Sequence, residues 1–261
     1  MNSTNQNSWE LIENSKDSFF ISKSLKNHNF KHGFFTRLSR NRTIQDLSIN
    51  LGIGITTHQV DQIHSNIIIK AKETRKKVLV SADGITSDDK HQSLWIYTAD
   101  CIPVLIANTK NGNVSACHVG WRGIANRITI NAIKELTVKA NDIKYIIIAM
   151  GPSISINNYQ VDINTAKEIY AGLYNKKKII QLKSSSSIDT LEALGIIRLE
   201  NEKNKVKLDI RLALQEQLIN EGIIENQISI CPLCTFTNKS LFFSRRRQIS
   251  KEIQWSAIAS Q

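Results

Sequence analysis

The stretch SLWIYTADCIPVLIANTKNGNVSACHVGWRG, residues 93–123, decides the fold. It contains three apolar segments rich in β-branched residues, which predict strands at 95–98, 104–107 and 114–119. Asn111 and Gly112 lie between the last two segments, and both residue types tolerate positive φ, so they predict a tight hairpin turn. A hairpin argues against an all-parallel sheet. We therefore expect a mixed one.

The rest of the chain alternates between strand and helix patterns. Apolar segments predict further strands at 67–69, 78–80, 146–149 and 228–230, and helical spacing of apolar residues predicts helices near 125–136, 163–173 and 208–220. This interleaving predicts an α/β (α+β) sandwich, with a mixed β-sheet packed against helices in a single domain over residues 1–261. The Lys-, Ser- and Asn-rich segment 176–207 predicts an exposed, partly mobile excursion.

Composition excludes several classes of protein. The 261 residues are 41% hydrophobic, which argues against disorder, and no apolar run reaches the ~18 residues of a membrane span. The polar start of the chain has no secretory signal, so we expect a cytoplasmic protein with reduced cysteines. The net charge of +11 favours anionic partners, but the lysines are spread along the whole chain. We expect neither a membrane nor nucleic acid as a partner.

Residues able to bind metal lie where predicted strands end. Loops after strands are where α/β sheets place their ligands, and His, Cys and Asp occur there in segments 62–65, 82–86, 99–103 and 117–123. Two histidines and one cysteine would leave a fourth position open on Zn²⁺, as in catalytic zinc sites. Cys231 and Cys234 have metal or redox spacing. A structural four-cysteine zinc site, however, would need Cys101 and Cys117 as its second pair.

Motifs over about residues 30–247 resemble the YfiH-type laccase-domain family, also called polyphenol-oxidase-like, which is associated with purine nucleoside phosphorylase activity. The resemblance rests on motifs that stand in the family's order: HGFFTR at 32–37, QIH at 62–64, ADG at 82–84, ADCIP at 99–103, HVGWRG at 118–123, GP at 151–152, LD at 208–209, CT at 234–235 and FFSRR at 242–246. It implies a zinc site formed by His64, Cys101 and His118. It also implies phosphorolysis of adenosine, inosine and S-methyl-5′-thioadenosine by inorganic phosphate, and deamination of adenosine.

The chain departs from the family pattern near its end. Where the family usually has Arg-Arg-Asp and a Gly-rich continuation, this chain has Arg245-Arg246-Arg247-Gln248, and the tail 249–261 looks unrelated. Ser153 and Ser155 stand where small or Cys residues and a Gly are common.

Other polar residues in these motifs are candidates for the remaining chemistry. Asp100, next to Cys101, is a candidate for moving protons, with a structural role at the strand end as the alternative. Asp83 and Asp209 are candidates for binding ribose hydroxyls. Three arginines can bind phosphate, with a surface ion pair as the alternative for the second: Arg37, Arg122 and Arg246.

One expectation conflicts with the metal site. A two-residue turn at Asn111-Gly112 places His118 opposite Leu105, four residues from Cys101. Four residues of strand span ~13 Å, which is too far for two ligands of one ion. A bend at Pro103, or a longer loop with a bulge, would remove the conflict.

Three alternatives remain open. Copper is a possible occupant of the zinc site, although six histidines are too few for a full multicopper oxidase. A Cys–His hydrolase of amidase type would use Cys101 as its nucleophile. A nucleic-acid-binding module would explain the basic charge, but the chain has no basic platform interleaved with aromatic residues. The oligomeric state is predicted only as monomer or homodimer.

Overall fold

The computed structural model describes residues 8–74, 78–174, 186–249 and 251–261. These residues form the strands β1 Trp9–Glu13, β2 Ser18–Ser22, β3 His32–Phe35, β4 Thr56–Gln59, β5 Ile68–Lys70, β6 Gly84–Thr86, β7 Gln92–Thr98, β8 Ile102–Asn108, β9 Val114–Val119, β10 Ile146–Met150, β11 Gln160–Asp162, β12 Ile197–Leu199, β13 Lys205–Leu208, β14 Ile228–Ile230 and β15 Gln254–Ala259. They also form the helices α1 Lys23–Asn27, α2 Ile44–Ser48, α3 Trp121–Ala125, α4 Ile128–Leu136, α5 Ile163–Leu173, α6 Ser187–Ala193 and α7 Ile210–Asn220.

Two six-stranded sheets form the centre of the molecule. Their strand orders are β1-β2-β3-β15-β7-β4 and β14-β10-β8-β9-β6-β5, and β11-β13-β12 form a third, smaller sheet. Both large sheets are mixed, because β4 runs parallel to β7, while β10 pairs parallel to β14 but antiparallel to β8. The predicted mixed α/β sandwich is confirmed.

Side chains of β8 show why the sheets form layers. Leu105 and Ala107 belong to the apolar cluster between the two large sheets, together with Leu94 and Ile96 of β7. The residues that alternate with them, represented by Ile106, belong to a second cluster, with α4, α5 and α7. This period of two buries both faces of β8, which explains why its sequence is continuously apolar.

The pairing register of the hairpin between β8 and β9 is shifted by two residues from the predicted register. Leu105 pairs with Ala116, and Pro103 pairs with His118. The turn is longer than two residues, since the Asn108 N–H donates to the Asn113 carbonyl oxygen and the Gly112 N–H returns to the Asn108 carbonyl oxygen. The longer turn moves His118 towards Cys101 and removes the conflict that the shorter turn created.

One further predicted strand is wrong, and one predicted helix is confirmed over most of its length but is interrupted near its start. Residues 78–80 are not a strand, and Val78 is 77% exposed. The predicted helix near 125–136 is two helices, α3 and α4, which are separated where Arg127 adopts a φ of 62°. The Arg127 guanidinium donates to the Gly172 carbonyl oxygen and pairs with Glu221, so contacts with α5 and the end of α7 stabilise the break.

The segment 176–207 is described only in part. Residues 176–185 of the predicted excursion lie outside the described residues. The remainder forms α6, β12 and most of β13. Leu191, Ile197 and Val206 in these elements are buried in the main core.

Part of the tail 249–261 forms β15, a strand of the first sheet. β15 lies between β3 and β7 and pairs antiparallel with both. β15 therefore makes hydrogen bonds on both of its edges, as a central strand of a sheet does.

Candidate metal centre and pocket

Three side chains from separate segments meet at one end of the second large sheet. His64 lies in the loop after β4, Cys101 directly precedes β8, and His118 lies in β9. One ligand atom from each lies within 4.8 Å of the others, and the two imidazole rings are 4.7 Å apart between centroids. His118 is buried, Cys101 is half-buried and His64 is exposed, so the group opens towards solvent on one side.

A single buried carboxylate holds two of these three residues. Asp83 accepts a hydrogen bond at 2.8 Å from Nδ1 of His118 and another at 2.9 Å from the backbone N–H of His64. It also accepts from the backbone N–H groups of Ile63 and Ser65. With Nδ1 engaged, Nε2 of His118 is the ring atom left for Cys101 or a metal, an arrangement typical of metal-binding histidines.

The local backbone is strained where these residues are positioned. His64 has a φ of 61° and Asp100 a φ of 96°, in a region that residues with a side chain rarely occupy. Such strain persists where surrounding contacts hold it, and it is common at functional sites. Gly120 allows the backbone of β9 and α3 to lie close to Cys101, because a Cβ at this position would lie 2.9 Å from the Cys101 sulfur.

Asp100 is the second buried carboxylate beside the group. Its oxygens accept hydrogen bonds from the Thr235 hydroxyl at 2.6 Å, the Ser244 hydroxyl at 3.0 Å and the Arg246 backbone N–H at 2.8 Å. These donors come from a segment that precedes β15. Asp100 therefore fixes the segment that carries Arg246 to the loop that carries Cys101.

Charge interactions favour a thiolate beside an imidazolium in the metal-free group. Burial alone would raise the pKa of Cys101, but His118 and His64 outweigh it and lower that pKa to about 6. Burial opposes charge on His118 as well, yet Cys101 and Asp83 raise its pKa to about 9. The pKa of Asp83 is lowered to about 2, because hydrogen bonds from His118 and Ser65 outweigh its burial.

The group forms one wall of a cavity of about 500 Å³. This is within the size range of small-molecule sites, ~300–1,000 Å³. Its lining combines polar, aromatic and basic residues: Gln62, His64, Tyr97, Thr98, Ala99, Asp100, Cys101, His118, Tyr159, Arg245, Arg246 and Ile253.

Residues 36–259 match the protein family described as multi-copper polyphenol oxidoreductase laccase. The chain belongs to this family. A protein of Synechocystis sp. named purine nucleoside phosphorylase is 34% identical over 236 residues, covering 88% of this chain and 89% of the relative. One from Bacteroides thetaiotaomicron with the same name is 26% identical over 222 residues, covering 81% and 75%.

Solved structures of similar proteins share the fold of this family member. YlmD from Geobacillus stearothermophilus aligns with a TM-score of 0.76 at 20% identity, covering 96% of this chain and 98% of that one. YfiH from Bacillus licheniformis aligns with a TM-score of 0.73 at 20% identity, covering 96% and 99%. Across the described residues, no helix combines the length and the apolar character needed to cross a membrane.

The structure brings some of the predicted site residues of this family member to the cavity and places others elsewhere. Asp100, Cys101 and Arg246 line the cavity, whereas Asp83 is fully buried behind the metal-binding group. Arg122, at the start of α3, is exposed, and its guanidinium lies 4.4 Å from the centre of the Trp121 ring.

Two predicted substrate-binding residues have other contacts. The Asp209 carboxylate caps α7 by accepting from the N–H groups of Arg211 and Leu212. The Arg37 guanidinium donates to the Lys239 carbonyl oxygen and lies 4.6 Å from the centre of the Phe243 ring. Neither is among the residues that line the cavity.

The remaining cysteines lie outside the metal-binding group. Burial raises the pKa of Cys231 to about 12, so this thiol stays protonated. Burial would also raise the pKa of Cys234, but hydrogen bonds to its sulfur, chiefly from Ser155, lower it overall. Sequence analysis missed Tyr159 and Ile253 in the cavity wall, because no local motif marks either of them.

Proposed function

We propose that the chain is a zinc-dependent purine nucleoside phosphorylase that acts on adenosine, inosine and S-methyl-5′-thioadenosine, and that it also deaminates adenosine to inosine. The observation that carries the proposal is the open His64, Cys101 and His118 group at the wall of a small-molecule cavity. The Synechocystis and Bacteroides relatives, both named purine nucleoside phosphorylase, support the reaction class.

The donor set fits zinc. Two imidazole nitrogens and one thiolate sulfur are preferred zinc ligands, at ~2.0–2.1 Å and ~2.3 Å respectively, and three ligands leave a catalytic position open. The lowered pKa of Cys101 and the orientation of His118 by Asp83 both favour the metal-binding forms of these ligands. Zinc held there would act as a Lewis acid at the wall of the cavity. Copper is the alternative occupant.

In phosphorolysis, an oxygen of phosphate forms a bond to C1′ of the ribose while the bond from C1′ to N9 of the purine breaks. The electron pair of that bond leaves with the base, which takes up a proton, and ribose 1-phosphate is the second product. Arg246 and Arg122 provide positive charge for the phosphate. Asp100 positions the Arg246 backbone through its hydrogen bond, and its carboxylate lies at the cavity wall.

Deamination replaces the amino group at C6 of adenine with oxygen from water and releases ammonia. It consumes no phosphate, so the two proposed reactions differ in their dependence on phosphate. Both need a proton carried between the reacting atoms and the protein. We assign this part to Asp100, whose carboxylate lies at the cavity wall, while the Cys101 sulfur would remain bound to the metal.

A Cys–His hydrolase is the second candidate, and one observation favours it. Cys101 and His118 form a thiolate–imidazolium pair in the absence of metal, which is the resting state of many cysteine nucleophiles. A thiolate bound to zinc is a poor free nucleophile, so tight zinc retention would exclude this candidate.

A multicopper oxidase finds less support in the positions of the histidines. In the described part of the chain, His64, Cys101 and His118 form the only group of three such residues able to share a metal ion. His32 binds backbone atoms of Ser22 and Phe30 instead.

The test combines metal analysis with a nucleoside assay. Protein purified without chelator should contain about one zinc per chain, release adenine from adenosine only when phosphate is present, and form inosine with or without it. His64→Ala should lose both metal and activity. His91→Ala is the matched control, because His91 is also exposed and has a similar φ of 57° but lies outside the group. A folded, metal-free protein that is inert to nucleosides and inactivated by thiol alkylation would contradict the proposal in favour of the hydrolase.

A further inference from the structure

The cavity beside the metal-binding group has a basic wall, although the Asp100 carboxylate also lies in its lining and accepts the Arg246 backbone N–H. Arg245 and Arg246 line it. In the described ranges Arg40, Arg42, Arg127 and Arg211 each lie within 4.0 Å of a carboxylate. The guanidinium groups of Arg245 and Arg246 have no such ion pair there, and these two arginines lie in the cavity lining. Unpaired guanidinium groups around a concave site favour an anionic ligand.

Tyr159 lies within this basic wall. The Arg246 guanidinium is stacked over its ring, 5.0 Å from the ring centre. Tyr159 and Arg246 line the same cavity as Cys101 and His118 of the metal-binding group. Among the described residues its hydroxyl has no hydrogen-bond partner, although the ring is half-buried at the cavity wall.

The arginine in this pair is fixed in orientation. Nη1 of Arg246 donates to the Gln160 carbonyl oxygen at 2.9 Å, and its backbone N–H donates to Asp100. The other guanidinium N–H groups remain for a ligand. Burial and the negative charge of Cys101 raise the pKa of Tyr159 to about 12, so its hydroxyl remains a donor at neutral pH.

We propose that the Tyr159 hydroxyl and the Arg246 guanidinium form a phosphate-binding subsite next to the metal-binding group, with Arg122 adding positive charge. The proposal deepens the proposed function and rests on it, because it identifies where the phosphate co-substrate binds. A neutral O–H donor and a planar guanidinium suit the oxygens of a phosphate dianion, which accept hydrogen bonds from both. Phosphate held there lies beside the wall that carries Cys101 and His118.

The decisive variant is Tyr159→Phe, which removes one oxygen atom and keeps the ring under Arg246. We expect the KM for inorganic phosphate to rise roughly tenfold, as for a lost hydrogen bond to a charged group, with a smaller change in kcat at saturating phosphate. Arg246→Gln should raise the same KM further, with Arg246→Lys intermediate because it restores charge without the planar fork.

A matched control lies at the opposite end of β10. The Lys144 ammonium is 5.1 Å from the centre of the Tyr145 ring, so this pair resembles Arg246 on Tyr159 but lies outside the cavity lining. Tyr145→Phe and Lys144→Gln should leave the phosphate KM unchanged. Thermal melting of every variant verifies folding.

Equilibrium binding separates failure of the subsite from failure of the proposed function. Titration of the zinc-loaded protein with inorganic phosphate, followed by calorimetry, needs no turnover. Weaker binding to Tyr159→Phe by roughly tenfold supports the subsite even if no phosphorolysis is found. Equal binding to both proteins, or no binding to the wild type, overturns it. If Tyr159→Phe weakens inhibition by adenosine 5′-monophosphate but not the KM for inorganic phosphate, the pair binds a nucleotide phosphate and the proposal is also overturned.

Discussion

Asp83 and Asp100 are both buried carboxylates beside the same cavity, but they accept hydrogen bonds from different parts of the molecule. Asp83 binds the His118 ring and the backbone of the loop that carries His64, so it organises the metal-binding group. Asp100 binds Thr235, Ser244 and Arg246, so it attaches a later segment to the other side of the cavity. The position of the donors, and not the residue type, separates a carboxylate that orients metal ligands from one that assembles the substrate pocket.

The largest expected effect comes from replacing Asp83, the carboxylate that organises the metal-binding group. Asp83→Asn places an amide NH₂ where backbone N–H groups now donate, which disturbs both His64 and His118. Zinc affinity should fall roughly 10–100-fold, as is usual when a partner of a metal-bound histidine is removed. Competition with a chelator measures this. Asp142→Asn is the control, because Asp142 also accepts a backbone N–H and pairs with a lysine, but lies away from the site. Unchanged zinc affinity in Asp83→Asn would contradict this role.

Low pH should remove the contribution of Asp83 to the free energy of unfolding of the metal-free protein. The folded chain lowers the pKa of Asp83 from 3.8 to about 2, so the carboxylate is ionised at pH values where the unfolded chain protonates it. Its contribution to the free energy of unfolding is therefore complete above about pH 4 and lost as pH falls through about 2. This contribution is roughly 2 kcal/mol. Urea unfolding at several pH values measures the free energy of unfolding of wild type and Asp83→Asn. The difference between them should shrink below pH 4, and a constant difference would argue against an ionised Asp83 paired with His118.

Replacing Asp100, the carboxylate that attaches the later segment, should give a different phenotype. Asp100→Asn turns one of its acceptors into a donor that faces Ser244 and the Arg246 N–H. We expect the free energy of unfolding to fall by roughly 1–3 kcal/mol and turnover to fall about tenfold, with zinc still bound. Metal analysis and steady-state kinetics on the same preparation test this. Loss of zinc from Asp100→Asn would contradict this separation, because it would show that Asp100 also supports the metal ligands.

The smallest effect is expected at Gly120. Gly120→Ala would place a Cβ at 2.9 Å from the Cys101 sulfur and force the sulfur to move by a few tenths of an ångström. Zinc affinity should fall by about fivefold, less than for Asp83→Asn, because every ligand and its hydrogen-bond partner is retained. Gly123→Ala is the control, since its Cβ would meet an Ile128 methyl group and not the sulfur. Equal effects of the two variants would show that Gly120 serves only the backbone.

Short-range patterns predicted much of this architecture. Alternating and continuous apolar segments predicted most of the central strands, because burial of both sheet faces requires such residues, as in β8. The hairpin register was wrong because turn length depends on hydrogen bonds such as that from Asn108 to Asn113, which no single residue type requires. The strand expected at 78–80 failed because Val78 lies on the surface, where its β propensity has no packing partner.

The site was predictable in residue type and less so in role. The motifs carried His64, Cys101 and His118, and the structure brings these three together. Asp83 and Asp209 belong to the same motifs, yet the structure buries Asp83 behind the histidines and uses Asp209 to cap a helix. Tyr159 reaches the cavity only through tertiary packing, which leaves no local pattern in the sequence.

The position of β15 has a consequence for how the molecule reaches its native state. Ile258 pairs with His32, a residue more than two hundred positions earlier in the chain. β3 pairs with β2 and β7 pairs with β4, but each lacks its neighbour on the other edge until β15 arrives. Closing such a large loop costs chain entropy before these contacts are gained. Refolding should therefore be slow, with an intermediate that exposes the edges of β3 and β7 and aggregates in proportion to its concentration. A peptide with the sequence of β15, added during refolding, would compete with β15 for the position between β3 and β7.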